Sequence, residues 1–232
     1  MTGSASASVV LTCEHASNAL PEAYGTLGVT EEEILDHIGW DIGAAVVARR
    51  LAQVFSAPLV ESAYSRLLID CNRALGDSDL IVAESHGVRV PGNDDLGVAE
   101  RERRIRDVYE PYHEAIDAVL ASIAQTPLLL SVHSFTPVLR GRAREFDIGV
   151  LFDAHTDRAE ALVESLEAES LRVRRNEPYS GWDGLIFSAR SHGERHAVPY
   201  LEIEINNGLL REEERAAEVA TRVAAALRRI ID

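Results

Sequence analysis

Lysine is absent from this chain: all 23 basic residues among its 232 are arginine. Without lysine there is no Schiff-base nucleophile and no P-loop phosphate clamp, so two large classes of enzyme chemistry drop out. Basic charge is also scarce against 38 acids, and a formal net charge of -15 sets a repulsive field against any nucleic-acid backbone. Cysteine is nearly missing. Cys13 and Cys71 are too few for a disulfide framework or a thiolate zinc site, and they form no C-x-x-C pair. No apolar run approaches the ~18 residues that span a bilayer. No repeat of fixed period occurs, and residues 1–8 carry no basic leader. The expectation is a cytoplasmic chain that binds neither nucleic acid nor membrane.

What is present suits one folded domain. A hydrophobic content of 46% is ample for a buried core. Short apolar runs alternate with amphipathic helical patterns. Strands are expected at 8–12, 59–63, 67–70, 128–133, 147–152 and 201–205. Helices are expected at 31–55, with Thr30 as N-cap and Glu33 at its third position, at 99–124 with an interruption near Pro111, at 158–170 and at 211–231. The Gly-, Asp- and Pro-rich stretch 77–95 reads as loop. This alternation predicts a single α/β domain over 1–232, three layers deep, with a mostly parallel or mixed central sheet.

Ligands of open α/β sheets gather at the carboxyl ends of strands. Polar clusters fall there four times: Glu14-His15, Asp70-Cys71-Asn72-Arg73, His133-Ser134 and Glu202-Ile203-Glu204. Two histidines ending distant strands of one sheet point to a shared site. A catalytic zinc takes three His, Asp or Glu ligands and leaves one position open. His15 and His133 supply two nitrogens, and the acid is Asp41 or Glu14. Asp41 is favoured because Trp40, Ile42 and Gly43 make its surroundings unusually apolar. Glu204 alternates with Ile203 and Ile205, so a sheet face carries its carboxylate, as a buried general base requires. Glu202 is expected to contribute little. Arg66 and Arg73 flank an apolar run, and a guanidinium fork is the usual receptor for a carboxylate, which points to an acidic substrate.

Seven blocks then carry a resemblance: CEHASNALP (13–21), HIGWDIGA (37–44), YSRLLIDCNR (64–73), PYH (111–113), SVHSFTPVL (131–139), NEPYSG (176–181) and LEIEINNGL (201–209). Together and in this order they resemble N-formylglutamate amidohydrolase-like proteins. The resemblance implies a zinc-dependent amidohydrolase on a fold similar to that of zinc exopeptidases, distantly related to aspartoacylase and cell-wall amidases. It implies His15 and His133 as metal ligands and Glu204 as base. It also implies substrate contacts from Asn72 and Arg73 in the Asp-x-Asn-Arg block, from Asn176, and from His192 upstream of the glutamate strand. The position three after the first His, where zinc exopeptidases carry their acid, is Asn18, which leaves that ligand to Asp41 or Glu14. The implied substrate is a small acidic N-acyl amino acid, N-formyl-L-glutamate above others, cleaved by metal-activated water. The alternatives are a zinc peptidase or cell-wall amidase on a larger substrate, or a non-catalytic binding protein for acidic metabolites.

Overall fold

The computed structural model describes residues 7–231. In chain order the elements are β1 (Val9–Cys13), α1 (Glu31–Leu35), α2 (Ala44–Phe55), β2 (Leu59–Glu61), β3 (Glu84–Ser85), β4 (Val88–Arg89), α3 (Val98–Arg104) and α4 (Glu110–Ser122). There follow β5 (Leu128–Phe135), β6 (Val138–Leu139), β7 (Arg142–Ala143), β8 (Ile148–Leu151), α5 (Thr156–Ala168), β9 (Val173–Arg175), α6 (Phe187–His196), β10 (Tyr200–Asn206) and α7 (Glu213–Ile231). Six strands form one mixed sheet in the order β2-β1-β5-β10-β8-β9. The β2, β1, β5 and β10 strands run parallel, and β8 turns the sheet antiparallel at its junction with β10. A single α/β domain with a mixed sheet is the architecture the alternating patterns predict.

Alternation along the strands divides the core into two layers. Val9, Leu11, Leu128, Leu130, Leu201 and Ile203 pack against α2, α5 and α7. Their neighbours Val10, Leu129 and Tyr200 face α4 and α6 through Tyr112, Ile116, Ile186 and Ala189. On this second face β5 reads Leu129, Ser131, His133 and β10 reads Tyr200, Glu202, Glu204, all buried. The face is thus apolar where helices cover it and polar at the carboxyl ends of the strands. Among the described residues no helix is long and apolar enough to cross a membrane.

Several expected elements change form. Thr30 and Glu33 do form a capping box, but the helix expected over 31–55 breaks after Leu35 and restarts at Ala44. Gly43 stands at φ 81°, and a Cβ on it would lie 2.4 Å from the Leu210 Cβ, so α2 can start only on a glycine here. The stretch 67–70 is a series of turns, not a strand. Side chains rather than a strand partner take its carbonyls: Asn93 Nδ2 donates to Leu67 O at 2.8 Å and Arg104 Nη1 to Leu68 O at 2.9 Å. The helical stretch from Val98 to Ser122 is not broken at Pro111. It widens instead over Ile105–Tyr109, where Glu110 N–H donates five residues back to Ile105 O, and Pro111, which has no N–H to give, begins the tighter turns beyond. The sequence reading missed β9 and α6 altogether.

Candidate active site

The chain gathers seven titratable side chains, Glu14, His15, Asp41, Asp70, His133, Glu202 and Glu204, around the carboxyl ends of β1, β5 and β10; all are at most 5% exposed. Glu14 and His15 follow β1 in a turn, which lets both face inward. The β5 and β10 strands run in register, so His133 lies beside Glu204 and Ser131 beside Glu202. Asp41 arrives from the break between α1 and α2. Its backbone N–H donates to His15 O at 3.0 Å, while Ser134 N–H donates to Asp41 Oδ2 at 3.2 Å and Ser134 Oγ to Ile42 O at 2.9 Å. Asp70 comes from the turns at 67–70, its own N–H bonded to Leu80 O.

Two carboxylates hold the two histidines from behind. Burial would raise the Asp70 pKa, but Arg66 and His15 hold it well below the ordinary carboxylate range. An ionised carboxylate only accepts, so the 2.7 Å contact with His15 Nε2 puts the imidazole proton on Nε2. His15 Nδ1 is then a bare lone pair. It is buried without a hydrogen-bond partner and lies 3.4 Å from Asp41 Oδ2. His133 is instead gripped at both nitrogens, Nε2 at 2.9 Å from Glu14 Oε2 and Nδ1 at 2.8 Å from Asp41 Oδ2. Burial acts to raise Glu14 too, and its bonds with His133 and Ser131 overcome that and keep it ionised. Glu14 is anchored further by the Tyr112 hydroxyl at 2.9 Å.

Two imidazole nitrogens therefore converge on one carboxylate oxygen, each ring backed by an outer carboxylate. This is the arrangement that orients metal-bound histidines. In the protein alone, burial disfavours a charged His133, but Glu202 and Asp41 raise its pKa well above the ordinary value. A cation would compensate the same carboxylates. The donor atoms of His15, Asp41 and His133 all lie within 4.8 Å of one another. Ligands held about 2.0–2.1 Å from a shared tetrahedral ion sit about 3.4 Å apart, close to the separations here. The donor set fits a divalent metal, and it is Asp41, not Glu14, that faces both Nδ1 atoms.

Burial raises the pKa values of the remaining pair of acids. Burial pushes Glu202 up to about 7, against the opposing pull of His133 and with help from Glu14. Burial also raises Glu204 well above its ordinary value, and Asp41 and Glu202 add to the shift against His133. Being two apart on one strand, both glutamates share a sheet face. The expectation that Glu202 contributes little is therefore corrected: its Oε2 accepts from Asn72 Nδ2 at 3.3 Å and lies 3.6 Å from His133 Nε2. The two differ in what they touch. Glu204 Oε2 is buried without any partner.

A cavity of about 330 Å³ opens over these groups, and His15, Asp41, Arg66, Asn72, Arg73, His133 and Glu204 all line it. The expected substrate contacts fare unevenly. Arg66 Nη2 is 2.6 Å from Asp70 Oδ2 and its Nη1 3.6 Å from Asp41 Oδ1, while Arg73 Nε is 2.8 Å from Asp79 Oδ2. Both forks face the cavity already paired. The Asn72 amide is occupied as well, donating to Glu202 and to Leu185 O and accepting from Ser188 N–H at 2.9 Å. Asn176 and His192 do not line the cavity. Asn176 Oδ1 accepts from Phe152 N–H and Gly181 N–H, both at 3.0 Å, which shapes the loop carrying Tyr179. His192 is 1% exposed and bonded to Asp117 and His113 on α4. The sequence reading missed Glu14 and Asp70 as the groups that orient the histidines. Adjacency to His15 and membership of the Asp-x-Asn-Arg block were the available signals.

The model of the N-formylglutamate amidohydrolase family matches residues 7–211. No curated protein matches the chain. Among solved structures, a gene product of Agrobacterium tumefaciens is 37% identical, with a TM-score of 0.91 over 97% of this chain and 92% of its own. An N-formylglutamate amidohydrolase from Ralstonia eutropha JMP134 shares the fold at 21% identity, with a TM-score of 0.73 over 97% of this chain and 93% of its own. The chain belongs to the N-formylglutamate amidohydrolase family, and its reaction class is the hydrolysis of amides.

Proposed function

We propose that this protein is a metal-dependent hydrolase that cleaves the amide of a small acidic N-acyl amino acid, N-formyl-L-glutamate above others. The observation that carries the metal requirement is the bare, buried His15 Nδ1, aimed with His133 Nδ1 at one Asp41 oxygen. His15, Asp41 and His133 would hold the ion, and zinc suits two imidazoles and a carboxylate with a position left open. When bound, such an ion polarises the amide carbonyl and makes water acidic enough to attack near neutral pH. Glu204 is the general base. Its free Oε2 at the cavity wall takes a proton from the attacking water and passes it to the amide nitrogen as the C–N bond breaks. Asp70 keeps the Nε2 proton of His15 in place and Glu14 holds His133 from behind, so that both Nδ1 atoms face Asp41. Arg66 pairs with Asp70 and Asp41 and, with His15, keeps Asp70 ionised.

The test pairs metal analysis of the purified protein with a panel of N-acyl amino acids, following release of the free amine. About one equivalent of metal per chain and turnover of N-formyl-L-glutamate ahead of neutral N-formyl amino acids are expected. A metal-free protein with full turnover would overturn the metal assignment. Equal turnover of acidic and neutral substrates would overturn the substrate class.

A further inference from the structure

The two arginines at the cavity are committed to protein carboxylates, so the acid group of an acidic substrate needs another receptor. Among the described residues, a third guanidinium stands beside the cavity without a carboxylate partner. Arg144 follows the hairpin of β6 and β7, whose turn residues Arg140 and Gly141 take φ 49° and 75°, the left-handed pair that a tight hairpin turn requires. Arg144 N–H returns to Pro137 O at 2.8 Å, and its own carbonyl accepts from Asn206 Nδ2 just beyond the catalytic strand segment. The backbone is fixed on both sides.

The guanidinium is fixed too. Its Cζ lies 5.6 Å from the centre of the Phe135 ring and 5.4 Å from that of Tyr179, and both rings form part of the cavity wall. Nη1 donates to the backbone and hydroxyl oxygens of Thr136 at 3.3 and 3.4 Å. These contacts, with a hydrogen bond to the Tyr179 side chain, orient the group without tying it to a carboxylate. Arg144 does not line the cavity itself but stands behind that wall, in an adjoining hollow of about 430 Å³ that shares Leu139 with the cavity and carries Arg142 and Arg174 together with Glu145 and Glu177. Tyr179 lies within electrostatic reach of both Glu204 and Arg144, so it links the proposed base to this cation. A planar fork oriented by aromatic rings loses little freedom on gripping a carboxylate and suits two parallel hydrogen bonds.

We propose that Arg144 binds a carboxylate of the substrate and sets the preference for acidic N-acyl amino acids. This inference rests on the substrate class proposed above. The two carboxylates of N-formyl-L-glutamate are separate sources of the same chemistry, and amide analogues tell them apart: N-formyl-L-glutamine lacks the side-chain carboxylate, and N-formyl-L-isoglutamine lacks the α-carboxylate.

The experiment measures kcat and KM of the metal-loaded enzyme and of Arg144→Gln, Arg144→Lys and the exposed hairpin control Arg140→Gln on all three substrates. The thermal midpoint of each variant reports folding. Arg144→Gln is expected to raise KM for N-formyl-L-glutamate by tenfold or more with kcat within about threefold, Arg144→Lys to recover part of the loss, and Arg140→Gln to stay within twofold. One of the two amides should raise KM equally in wild type and lose its sensitivity to Arg144→Gln, which identifies the bound carboxylate. A change below twofold in Arg144→Gln, or the same change on all three substrates, would overturn the proposal. If wild type turns over none of them, the substrate reading falls by itself, and calorimetric binding of N-formyl-L-glutamate decides Arg144. Binding lost in Arg144→Gln upholds the receptor, and no binding to wild type or equal binding to both removes it.

Discussion

Two clusters of imidazole and carboxylate lie on the same side of the sheet, and they are built to opposite ends. In the first, Asp70 and Glu14 each clamp one histidine from behind, and the forward nitrogens of His15 and His133 meet at Asp41 with one lone pair unpartnered. In the second, Asp117 on α4 collects His192 Nδ1 at 2.7 Å, His196 Nε2 at 2.9 Å and the Arg195 guanidinium. The donor atoms of Asp117, His192 and His196 also lie within 4.8 Å of one another. Proximity therefore does not separate the two. The shared carboxylates do: the Asp117 oxygens are engaged by three donors from α6, which fastens that helix to α4, and the unpartnered nitrogen of this cluster, His113 Nε2, lies one ring removed from Asp117. The first cluster leaves a buried acceptor empty, an expensive omission unless a ligand fills it.

The largest effect expected follows from that difference. His133→Ala and Asp41→Ala should each lose the bound metal and lower kcat/KM by about 1,000-fold or more, since the activated water disappears with the ion. Asp70→Asn keeps the shape but weakens the grip on His15 Nε2, and metal affinity should fall roughly 10–100-fold. Asp117→Asn should leave metal content unchanged. Metal analysis after dialysis checks all four variants. Metal lost from Asp117→Asn and kept by Asp41→Ala would exchange the roles of the two clusters.

Next in size is the separation of the two glutamates. Glu204→Gln removes proton acceptance at nearly constant shape, so metal should stay and kcat should fall about 100-fold or more. Glu202→Gln can still accept from Asn72, and a loss of about tenfold or less is expected. Steady-state rates at matched metal loading decide the order. A larger loss in Glu202→Gln would move the base one pleat deeper.

How much of this was legible in the sequence depends on whether the signal was local. The apolar strands and the polar groups at their ends follow from alternation and position, so His15, His133 and Glu204 were readable as neighbours. The apolar setting of Asp41 marked it, although the 31–55 pattern hid the break that delivers it, because helical periodicity runs across Asp36–Gly43 without a gap. Other contacts are set at long range. Arg66 reaches Asp41 across 25 residues of sequence as well as its near neighbour Asp70, and the burial of His192 against Asp117 depends on how α6 packs on α4. The α6 segment itself, Phe187–His196, has two histidines, two arginines and a glycine among its ten residues, too little apolar periodicity to read.

A smaller effect tests the second cluster as a fastener. Asp117→Asn breaks charge-assisted bonds to three α6 side chains while leaving the candidate active site untouched. A loss of about 2–3 kcal/mol in denaturant unfolding is expected, the scale of hydrogen bonds to charged groups. Activity at ambient temperature should stay within about twofold. A stability change under about 0.5 kcal/mol would show that α6 is held by its apolar contacts alone.

The smallest effect concerns pH and again contrasts the two clusters. Burial pushes His113 down to about 4, with repulsion from His192 adding to it. The folded protein thus keeps this ring neutral where the unfolded chain, with an ordinary pKa of about 6.5, has begun to bind a proton. The unfolded state then holds more protons, so stability falls as pH drops through the window from about 6.5 to about 4 and is unaffected above it. Between pH 7 and 5 the loss from this residue is about 2 kcal/mol, or about 4–8 °C in thermal midpoint for a domain of this size. The ring also packs against Tyr109, Tyr112 and Phe187, so His113→Phe keeps an aromatic there and removes the titration. Its midpoint should fall less steeply from pH 7 to 5 than that of wild type, while any metal release at the first cluster contributes equally to both and cancels in the difference. Equal slopes would mean that His113 is protonated in the folded state and that the buried chain of imidazoles carries a charge.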